Sequence, residues 1–239
     1  MTLTPHRALV TGATRGIGKA TAVALAKANV DLLLVSRSEA DLHQTATEIA
    51  ALGVDVQFKA VDLADLEQIR PQLQPFVQQF PIDILVNNAG MAYTGNLSDI
   101  PLTDWQQVLA LNLTSVFQCI QAVLPTMRDR QQGTIINVAS IAGYQAFPGW
   151  GAYNVSKAGL ISLSKTLAAE ERGHGIRVVT LCPGSVNTPL WDTETVQADF
   201  DRSRMLTPET VAQSIVHAAL LPPGAVIEEL TVMPSAGAL

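Results

Sequence analysis

Short apolar runs alternate with longer segments of helical periodicity along almost the whole chain. The apolar runs predict buried strands at HRALV (6–10), DLLLVS (31–36), DVQFKAV (55–61), IDILV (82–86), GTIINVAS (133–140), IRVVTLC (176–182) and ELTVM (229–233). Between them, apolar residues at helical spacing predict helices at 19–28, 38–52, 66–79, 103–127, 151–172 and 207–221. Strands that alternate with helices predict an α/β fold with a doubly wound parallel sheet of the Rossmann type and helices on both faces. No repeat or linker divides the chain, so residues 1–239 are predicted to form a single domain.

The composition excludes several classes of protein. The net charge of −6 argues against nucleic acid as a partner, and hydrophobic residues make up 48% of the chain, ample for a packed core. The apolar stretch at 108–125 is interrupted by polar residues and predicts a core helix, not a membrane span. Cys119 and Cys182 are interpreted as buried free thiols, although pairing stays open, and with no signal peptide evident we expect a cytoplasmic protein. The four histidines are scattered and predict no metal site.

A glycine-rich turn, TGATRGIG, follows the first strand and precedes an Ala-rich helix. Gly12, Gly16 and Gly18 would allow positive φ angles and close approach of a ligand to the backbone. The N–H groups and dipole of the following helix would then face an anion such as a dinucleotide pyrophosphate. The spacing is G-x-x-x-G-x-G and not G-x-G-x-x-G, and a tight strand-to-helix connection is the alternative.

Tyr153 and Lys157 are four residues apart on a predicted helix, and Ser140 ends the strand before it. Residues at i and i+4 share a helix face, so a Lys ammonium beside the Tyr hydroxyl is expected to lower the Tyr pKa. Such a Tyr can give or take a proton near neutral pH. Further polar segments, NNAG (87–90) and CPGSVNTP (182–189), also follow strands, and the carboxyl ends of parallel strands share one crevice.

Taken together, these motifs resemble those of the short-chain dehydrogenase/reductases, in their compact single-domain branch. The matching segments are TGATRGIG, Asp62-Leu63, NNAG, Asn112 in LALNLTSVF, Ser140, YNVSK and PGSVNTP, in family order from Arg7 to about Val232. The resemblance implies that Tyr153 protonates a carbonyl oxygen and that Ser140 orients it. Lys157 would lower the Tyr pKa and hold the nicotinamide ribose, and Asn112 would hold a water in a proton relay. It also implies a homotetramer or homodimer in which the long helices pair across two-fold axes.

The same resemblance implies a set of cofactor-binding residues at the strand ends. These are Gly12, Thr14, Arg15, Gly16, Ile17, Gly18, Ser36, Arg37, Asp62, Leu63, Asn88, Ala89, Gly90, Tyr153, Lys157, Pro183, Gly184, Val186 and Thr188. Ser36 and Arg37 end the second strand, where a carboxylate would select NAD. Arg37 and Arg15 can instead bind a 2′-phosphate, so we predict NADP, with a solvated surface cation as the alternative for Arg37. Asp62 resembles the residue that contacts the adenine in this family, and the alternative role for its side chain is the N-cap of the following helix.

Two segments, 141–150 and 190–205, are predicted to wall the substrate pocket, and the second is a natural lid. The candidate wall residues are Tyr144, Phe147, Trp150, Leu190, Trp191, Phe200 and Met205, with Met91 and Tyr93 on a third side. An apolar wall favours a small hydrophobic ketone or aldehyde.

Two other functions are weighed against this one. The first is reduction of a 3-oxoacyl group on an acyl carrier protein, for which Arg128, Arg130 and Arg172 would form a basic patch or be ordinary surface charges. The C-terminal ELTVMPSAGAL lacks the Gly-Gly segment typical of those reductases. The second is an NADP-binding sensor or scaffold without turnover, against which the presence of Asn112, Ser140, Tyr153 and Lys157 argues.

Overall fold

A computed structural model of the chain describes residues 6–198 and 200–237, and it contains one seven-stranded sheet. The strands are β1 (Arg7–Thr11), β2 (Asp31–Ser36), β3 (Val56–Ala60), β4 (Ile84–Asn87), β5 (Gly133–Val138), β6 (Ile176–Pro183) and β7 (Glu229–Val232). The helices are α1 (Gly16–Lys27), α2 (Glu39–Ala50), α3 (Leu66–Gln79), α4 (Leu102–Leu109), α5 (Ser115–Arg130), α6 (Gly151–Glu171) and α7 (Pro208–Ala219). All strand pairs are parallel, in the order β3-β2-β1-β4-β5-β6-β7. The predicted doubly wound fold is confirmed.

Alternate residues of the central strands face two separate hydrophobic cores. One core lies under α3, α5 and α6 and includes Leu9 and Leu85, while the other lies under α1, α2 and α7 and includes Val10 and Val86. Since both faces are covered, the middle of β1 (Ala8–Val10) and the start of β4 (Ile84–Val86) are continuous apolar runs, as expected for a parallel sheet.

The helix predicted at 103–127 runs from Leu102 to Arg130 and contains an unpredicted π-helical turn at Ala110–Thr114 between α4 and α5. This stretch is long and apolar enough to cross a membrane by length and composition alone, with a mean hydropathy of 1.5 in its most apolar part. In the structure 44% of that part is buried. Its inner side packs on α3 and α6 and contributes Ile120, Val123 and Met127 to the core, as predicted for a core helix.

A chain of buried amides crosses from the sheet to α6. Asn87 and Asn137 are paired in register on β4 and β5, and Asn87 Nδ2 donates to Asn137 Oδ1 at 2.8 Å. Asn137 Nδ2 in turn donates to Ser164 Oγ at 2.8 Å on α6. Since these side chains are almost fully buried, the bonds satisfy polar groups that water cannot reach, except Asn87 Oδ1, which has no partner within the described residues.

Candidate active site

The glycine turn joins β1 to α1 with almost no free space around its backbone. Gly12 and Gly16 have positive φ angles of 63° and 54°. A Cβ on Gly18 would lie 2.2 Å from the Gly12 carbonyl oxygen and 2.5 Å from Asn88 Nδ2, so only glycine fits there. α1 begins at Gly16 without a side-chain cap and without an acidic residue in its first turn. Its N–H groups are therefore available to an anion.

Thr11 and Asn88 fasten the glycine turn to the segment after β4. Thr11 Oγ1 accepts hydrogen bonds from the backbone N–H groups of Asn88 and Ala89, at 3.0 and 3.1 Å. Asn88 Nδ2 donates back to the Thr11 carbonyl at 3.0 Å. The two strand-end segments thus form one rigid floor. Thr11 is the first residue of the TGATRGIG motif but was not among the predicted site residues, because a Thr that ends a strand carries no distinguishing pattern.

Ser140, Tyr153 and Lys157 come together as predicted, at the carboxyl end of β5. Ser140 is buried, and its Oγ accepts the Ala142 N–H at 3.1 Å. Lys157 Nζ donates to the Val138 carbonyl at 2.8 Å and lies 5.7 Å from the centre of the Tyr153 ring. The three groups line the same cleft as the glycine turn.

The expectation that Lys157 lowers the pKa of Tyr153 is wrong for this geometry. Burial raises the pKa of Tyr153, and only a hydrogen bond with Ser140 acts in the opposite direction. Burial also lowers the pKa of Lys157 to about 8. The ammonium is turned toward Val138, and the low-polarity surroundings disfavour the charged form of both side chains. Tyr153 is therefore a proton donor in this state, not a phenolate.

Asn112 is fully buried in the π-helical turn, and its side chain is already committed. Its Oδ1 accepts the Met91 N–H at 2.8 Å, and its Nδ2 donates to the Met91 carbonyl at 2.9 Å and to Ser156 Oγ at 3.0 Å. Both amide hydrogens are used by protein, so a relay water could use only the remaining Oδ1 lone pair or a main-chain group.

Most of the predicted site residues line one cleft at the carboxyl ends of the strands. They are Gly12, Arg15, Gly16, Ile17, Asn88, Ala89, Gly90, Ser140, Tyr153, Lys157, Pro183, Gly184, Val186 and Thr188. Seven others lie outside its lining: Thr14, Gly18, Ser36, Arg37, Asp62, Leu63 and Asn112. Gly18 and Asn112 support the lining residues from behind.

The end of β2 lies beside the glycine turn. Thr14 Oγ1 and Ser36 Oγ are 3.3 Å apart, and Arg37 follows as an exposed side chain. Arg15, also exposed, is the residue just before α1. Within residues 6–198 and 200–237, neither arginine forms a salt bridge. Both guanidinium groups are therefore available to a phosphate at this corner.

Asp62 and Leu63 follow β3, outside the lining of the cleft. Asp62 Oδ1 accepts the Ala64 N–H at 2.9 Å, and the N-cap position of α3 is Asp65. The alternative interpretation of Asp62 as the cap of this helix is therefore wrong. Leu63 is buried in the hydrophobic core with only 6% of its surface exposed, which leaves its backbone as the part that could face a ligand.

An aromatic wall, formed by Phe147, Trp150, Trp191 and Phe200, borders the cleft beside Tyr153. Edge-to-face contacts link Tyr153 to Trp150 at 5.7 Å, Trp150 to Trp191 at 5.8 Å, and Trp191 to Phe200 at 5.5 Å between ring centres. Trp191 Nε1 donates to the Val186 carbonyl at 2.7 Å, which fixes its ring. Leu190 and Met91 also line the cleft, as predicted.

Three other predicted wall residues do not line the cleft. Tyr144 is half exposed, and its ring lies 5.8 Å from Lys165 Nζ. Met205 is buried outside the lining, and Tyr93 packs against Gly95. The wall predictions for these three are wrong, because the sequence of an irregular segment does not show which of its apolar side chains face the cleft.

The predicted lid, residues 190–205, is held against the segment after β4; Asp199 lies outside the described residues. The Thr94 N–H donates to the Thr195 carbonyl at 2.9 Å, and Thr195 Oγ1 donates to the Ala92 carbonyl at 2.7 Å. Motion of this segment stays a prediction.

The three arginines considered as a basic patch each have a carboxylate partner. Arg128 makes a bidentate pair with Glu171, whose side chain is fully buried. Arg130 pairs with Asp83 at 2.7 Å, and Arg172 pairs with Glu228 at 2.9 Å. These contacts reduce the positive potential that an acidic partner would meet.

Comparison with known proteins identifies the family. The family model for short chain dehydrogenases matches residues 6–199. The chain belongs to the short-chain dehydrogenase family. The 3-oxoacyl-[acyl-carrier-protein] reductase of Synechocystis sp. is 37% identical to this short-chain dehydrogenase, over 94% of the chain and 93% of the relative.

Solved structures agree with the fold of this short-chain dehydrogenase. An alcohol dehydrogenase from the archaeon Thermococcus sibiricus, complexed with 5-hydroxy-NADP, has a TM-score of 0.89 and 26% identity, with 97% of each chain covered. A single-residue variant of actinorhodin polyketide ketoreductase, solved with NADPH, has a TM-score of 0.87 and 32% identity, covering 98% of this chain and 97% of that one.

Four lining residues of this short-chain dehydrogenase had not been singled out as site residues. They are Val138, Ala139, Ser185 and Pro189; Ile141 and Ala142, which also line the cleft, lie in the predicted wall segment 141–150. All flank predicted residues at the ends of β5 and β6, so strand-end position was the signal that could have found them.

Proposed function

We propose that this short-chain dehydrogenase uses NADPH to reduce the carbonyl group of a hydrophobic ketone or aldehyde to an alcohol, in a reversible reaction. The observation that carries the proposal is the position of Ser140 and Tyr153 in one cleft between the glycine turn and the aromatic wall. The cleft thus offers a proton donor, a dinucleotide floor and an apolar substrate surface side by side.

The residues present fit a dinucleotide phosphate. The backbone at Gly12 and Gly18 leaves no room for a Cβ, and α1 presents its N–H groups at the same turn. Arg15 and Arg37 are exposed beside Ser36, and no carboxylate ends β2 to accept a ribose hydroxyl. The two NADP-type ligands in the solved relatives support the same choice. When bound, NADPH supplies the hydride.

The protein would supply the proton and hold the carbonyl. Tyr153 donates its hydroxyl proton to the developing alkoxide, and its raised pKa keeps that proton in place at neutral pH. Ser140 donates a second hydrogen bond to the same oxygen and fixes its direction. Lys157, at the back of the cleft, would hold the nicotinamide ribose, and its pKa of about 8 leaves it charged at neutral pH. Asn112 joins α6 to the segment after β4 through Ser156 and Met91.

A 3-oxoacyl-[acyl-carrier-protein] reductase is the second candidate, supported by the relative from Synechocystis sp.. The pairing of Arg128, Arg130 and Arg172 with carboxylates weighs against a carrier-protein surface built on them. For assembly we propose a homotetramer, supported by the exposed apolar side chains of Phe117 and Val155 on α5 and α6. A sensor without turnover is the remote third candidate.

The test is NADPH oxidation with a panel of aromatic ketones, aliphatic ketones and an acetoacetyl thioester, with NADH in parallel. We expect turnover of free ketones with NADPH and little turnover of the thioester. Preference for the thioester would favour the second candidate. Tyr153→Phe should abolish turnover and keep NADPH binding; wild-type NADPH binding without turnover of any compound would favour the sensor.

The cofactor choice has its own variant. Arg37→Ala should raise the KM for NADPH by roughly tenfold or more, the scale of one charge-assisted hydrogen bond, and leave the KM for NADH unchanged. Arg70→Ala is the matched control, because Arg70 is an exposed arginine of α3 that bonds to Gln74. An equal response to both nucleotides would contradict the assignment of Arg37 to the phosphate.

A further inference from the structure

We propose that Arg202 is a positioning residue. It holds Trp191 and Phe200, the outer part of the aromatic wall, against the segment after β6 and thereby sets the affinity for bulky substrates. Its kinetic consequence rests on the proposed function. The structural part of the proposal, that Arg202 fixes this wall, does not.

The Arg202 guanidinium bonds to three different residues at once. Nε donates to Asn187 Oδ1 at 2.8 Å, one terminal nitrogen donates to Asp192 Oδ1 at 2.5 Å, and the other donates to the Thr188 carbonyl at 2.8 Å. A planar guanidinium with donors on all its nitrogens can hold such a set in a fixed geometry, whereas a Lys ammonium cannot. The Asp192 side chain is 59% exposed, so removing Arg202 leaves no buried carboxylate without a partner.

These three partners flank the residues that form the wall. Asp192 follows Trp191 directly, and Phe200 lies two residues before Arg202, so the guanidinium closes a loop around both rings. Thr188 lines the cleft on the side of Pro183 and Gly184. Arg202 therefore connects the wall with the segment after β6 that the family resemblance assigns to cofactor binding. No substrate atom needs to touch Arg202 for this effect.

A backbone bridge keeps the same region folded without Arg202. The Leu206 N–H donates to the Ser185 carbonyl and the Asn187 N–H donates to the Leu206 carbonyl, both at 2.9 Å. Loss of the Arg202 side chain should therefore loosen the wall without unfolding the domain. Ser140, Tyr153 and Lys157 have no bond to Arg202, so the chemical step should change little.

The kinetic test compares Arg202→Gln with Arg204→Gln. Arg204 lies in the same 3-10 turn, is exposed and makes none of the three bonds, so it is the matched control. In Arg202→Gln we expect the KM of a bulky aromatic ketone to rise roughly tenfold, the scale of losing one to two net hydrogen bonds. The kcat, the NADPH Kd and the KM of a small aliphatic ketone should each change less than about threefold. Asp192→Asn should give a smaller KM increase, because two of the three bonds remain. Equal KM changes for the two ketones would overturn the specificity role.

An activity-independent measurement accompanies the kinetics. Hydrogen exchange of the Trp191 amide, which donates to the Thr188 carbonyl that Arg202 also holds, should be faster in Arg202→Gln than in the wild type, and unchanged in Arg204→Gln. Unchanged exchange in Arg202→Gln would overturn the positioning role, whatever the kinetics show. If the wild type reduced no ketone, the proposed function would fail, and the exchange result would still decide whether Arg202 fixes the wall.

Discussion

Gly18→Ala is the sharpest perturbation of the dinucleotide floor. An added Cβ would lie 2.2 Å from the Gly12 carbonyl oxygen and 2.5 Å from Asn88 Nδ2, whereas ordinary contact begins at 3.4 Å. Since the first of these neighbours is backbone in a turn with positive φ, no side-chain rotation can relieve the overlap. The turn and the start of α1 must separate by about 1 Å, a displacement that typically costs about 1–3 kcal/mol in a packed region.

The same displacement should damage cofactor binding more than it damages the fold. We expect the NADPH Kd of Gly18→Ala to rise by about a hundredfold, the scale of losing one to two hydrogen bonds from the α1 N–H groups to a charged phosphate, while the domain stays folded. Isothermal titration with NADPH and urea unfolding measure the two quantities on the same sample. Gly173→Ala is the matched control, because a Cβ there has no neighbour within 4 Å and should change neither quantity. NADPH affinity in Gly18→Ala close to that of the wild type would refute the reasoning.

Two further predictions concern charged side chains. The difference in unfolding free energy between the wild type and Lys157→Met should shift in favour of the wild type as the pH rises from about 8 to the ordinary Lys pKa of 10.5, by at most about 1.4 kcal/mol per pH unit. The sign follows because Lys157 loses its proton at a lower pH in the folded protein than in the unfolded chain, and the neutral amine is no longer destabilised by burial. Urea unfolding at pH 7 to 11 measures the difference, and parallel curves for the two proteins would contradict the prediction. Arg128→Met should lower the melting temperature more than Arg128→Met combined with Glu171→Gln, because the single change leaves a buried carboxylate without its partner. The pKa of Glu171 is lowered chiefly by Arg128, so the pair should stabilise the wild type at neutral pH and lose that effect as the pH falls through the lowered pKa. A double variant that is no more stable than Arg128→Met would contradict a stabilising role for the pair.

Elements with strong periodicity and clear caps could be predicted closely from the sequence. Helix α3 begins and ends where predicted, and Ser38 and Thr207 cap α2 and α7 through bonds to the Asp41 and Thr210 N–H groups. The π-helical turn at Ala110–Thr114 could not be predicted. Over five residues, a change from i+4 to i+5 bonding alters the apolar pattern too little to be recognised.

The site residues could be placed at the correct end of the sheet, but their electrostatics could not be predicted. The spacing of Tyr153 and Lys157 showed that they share a helix face. It did not show that Lys157 bonds to the Val138 carbonyl or that both side chains are desolvated, and these two facts set the direction of both pKa shifts. For the same reason, Arg128 was weighed as a free surface charge, because its partner Glu171 is 43 residues away in the sequence.

The paired amides of Asn87 and Asn137 have a consequence for how the chain finds its native alignment. A two-residue slip between β4 and β5 would keep every side chain on its own face of the sheet, because side chains alternate between the faces with a period of two. It would, however, set Asn87 opposite Ile135 and leave the Asn87 and Asn137 amides without each other in the interior. Each unsatisfied buried group would lower the free energy of unfolding by about 1–3 kcal/mol. Hydrophobic burial alone would tolerate the shifted pairing, whereas the amide pair rejects it. The hydrogen bond between Asn87 and Asn137, which are 50 residues apart in the sequence, therefore selects the native register of the two strands.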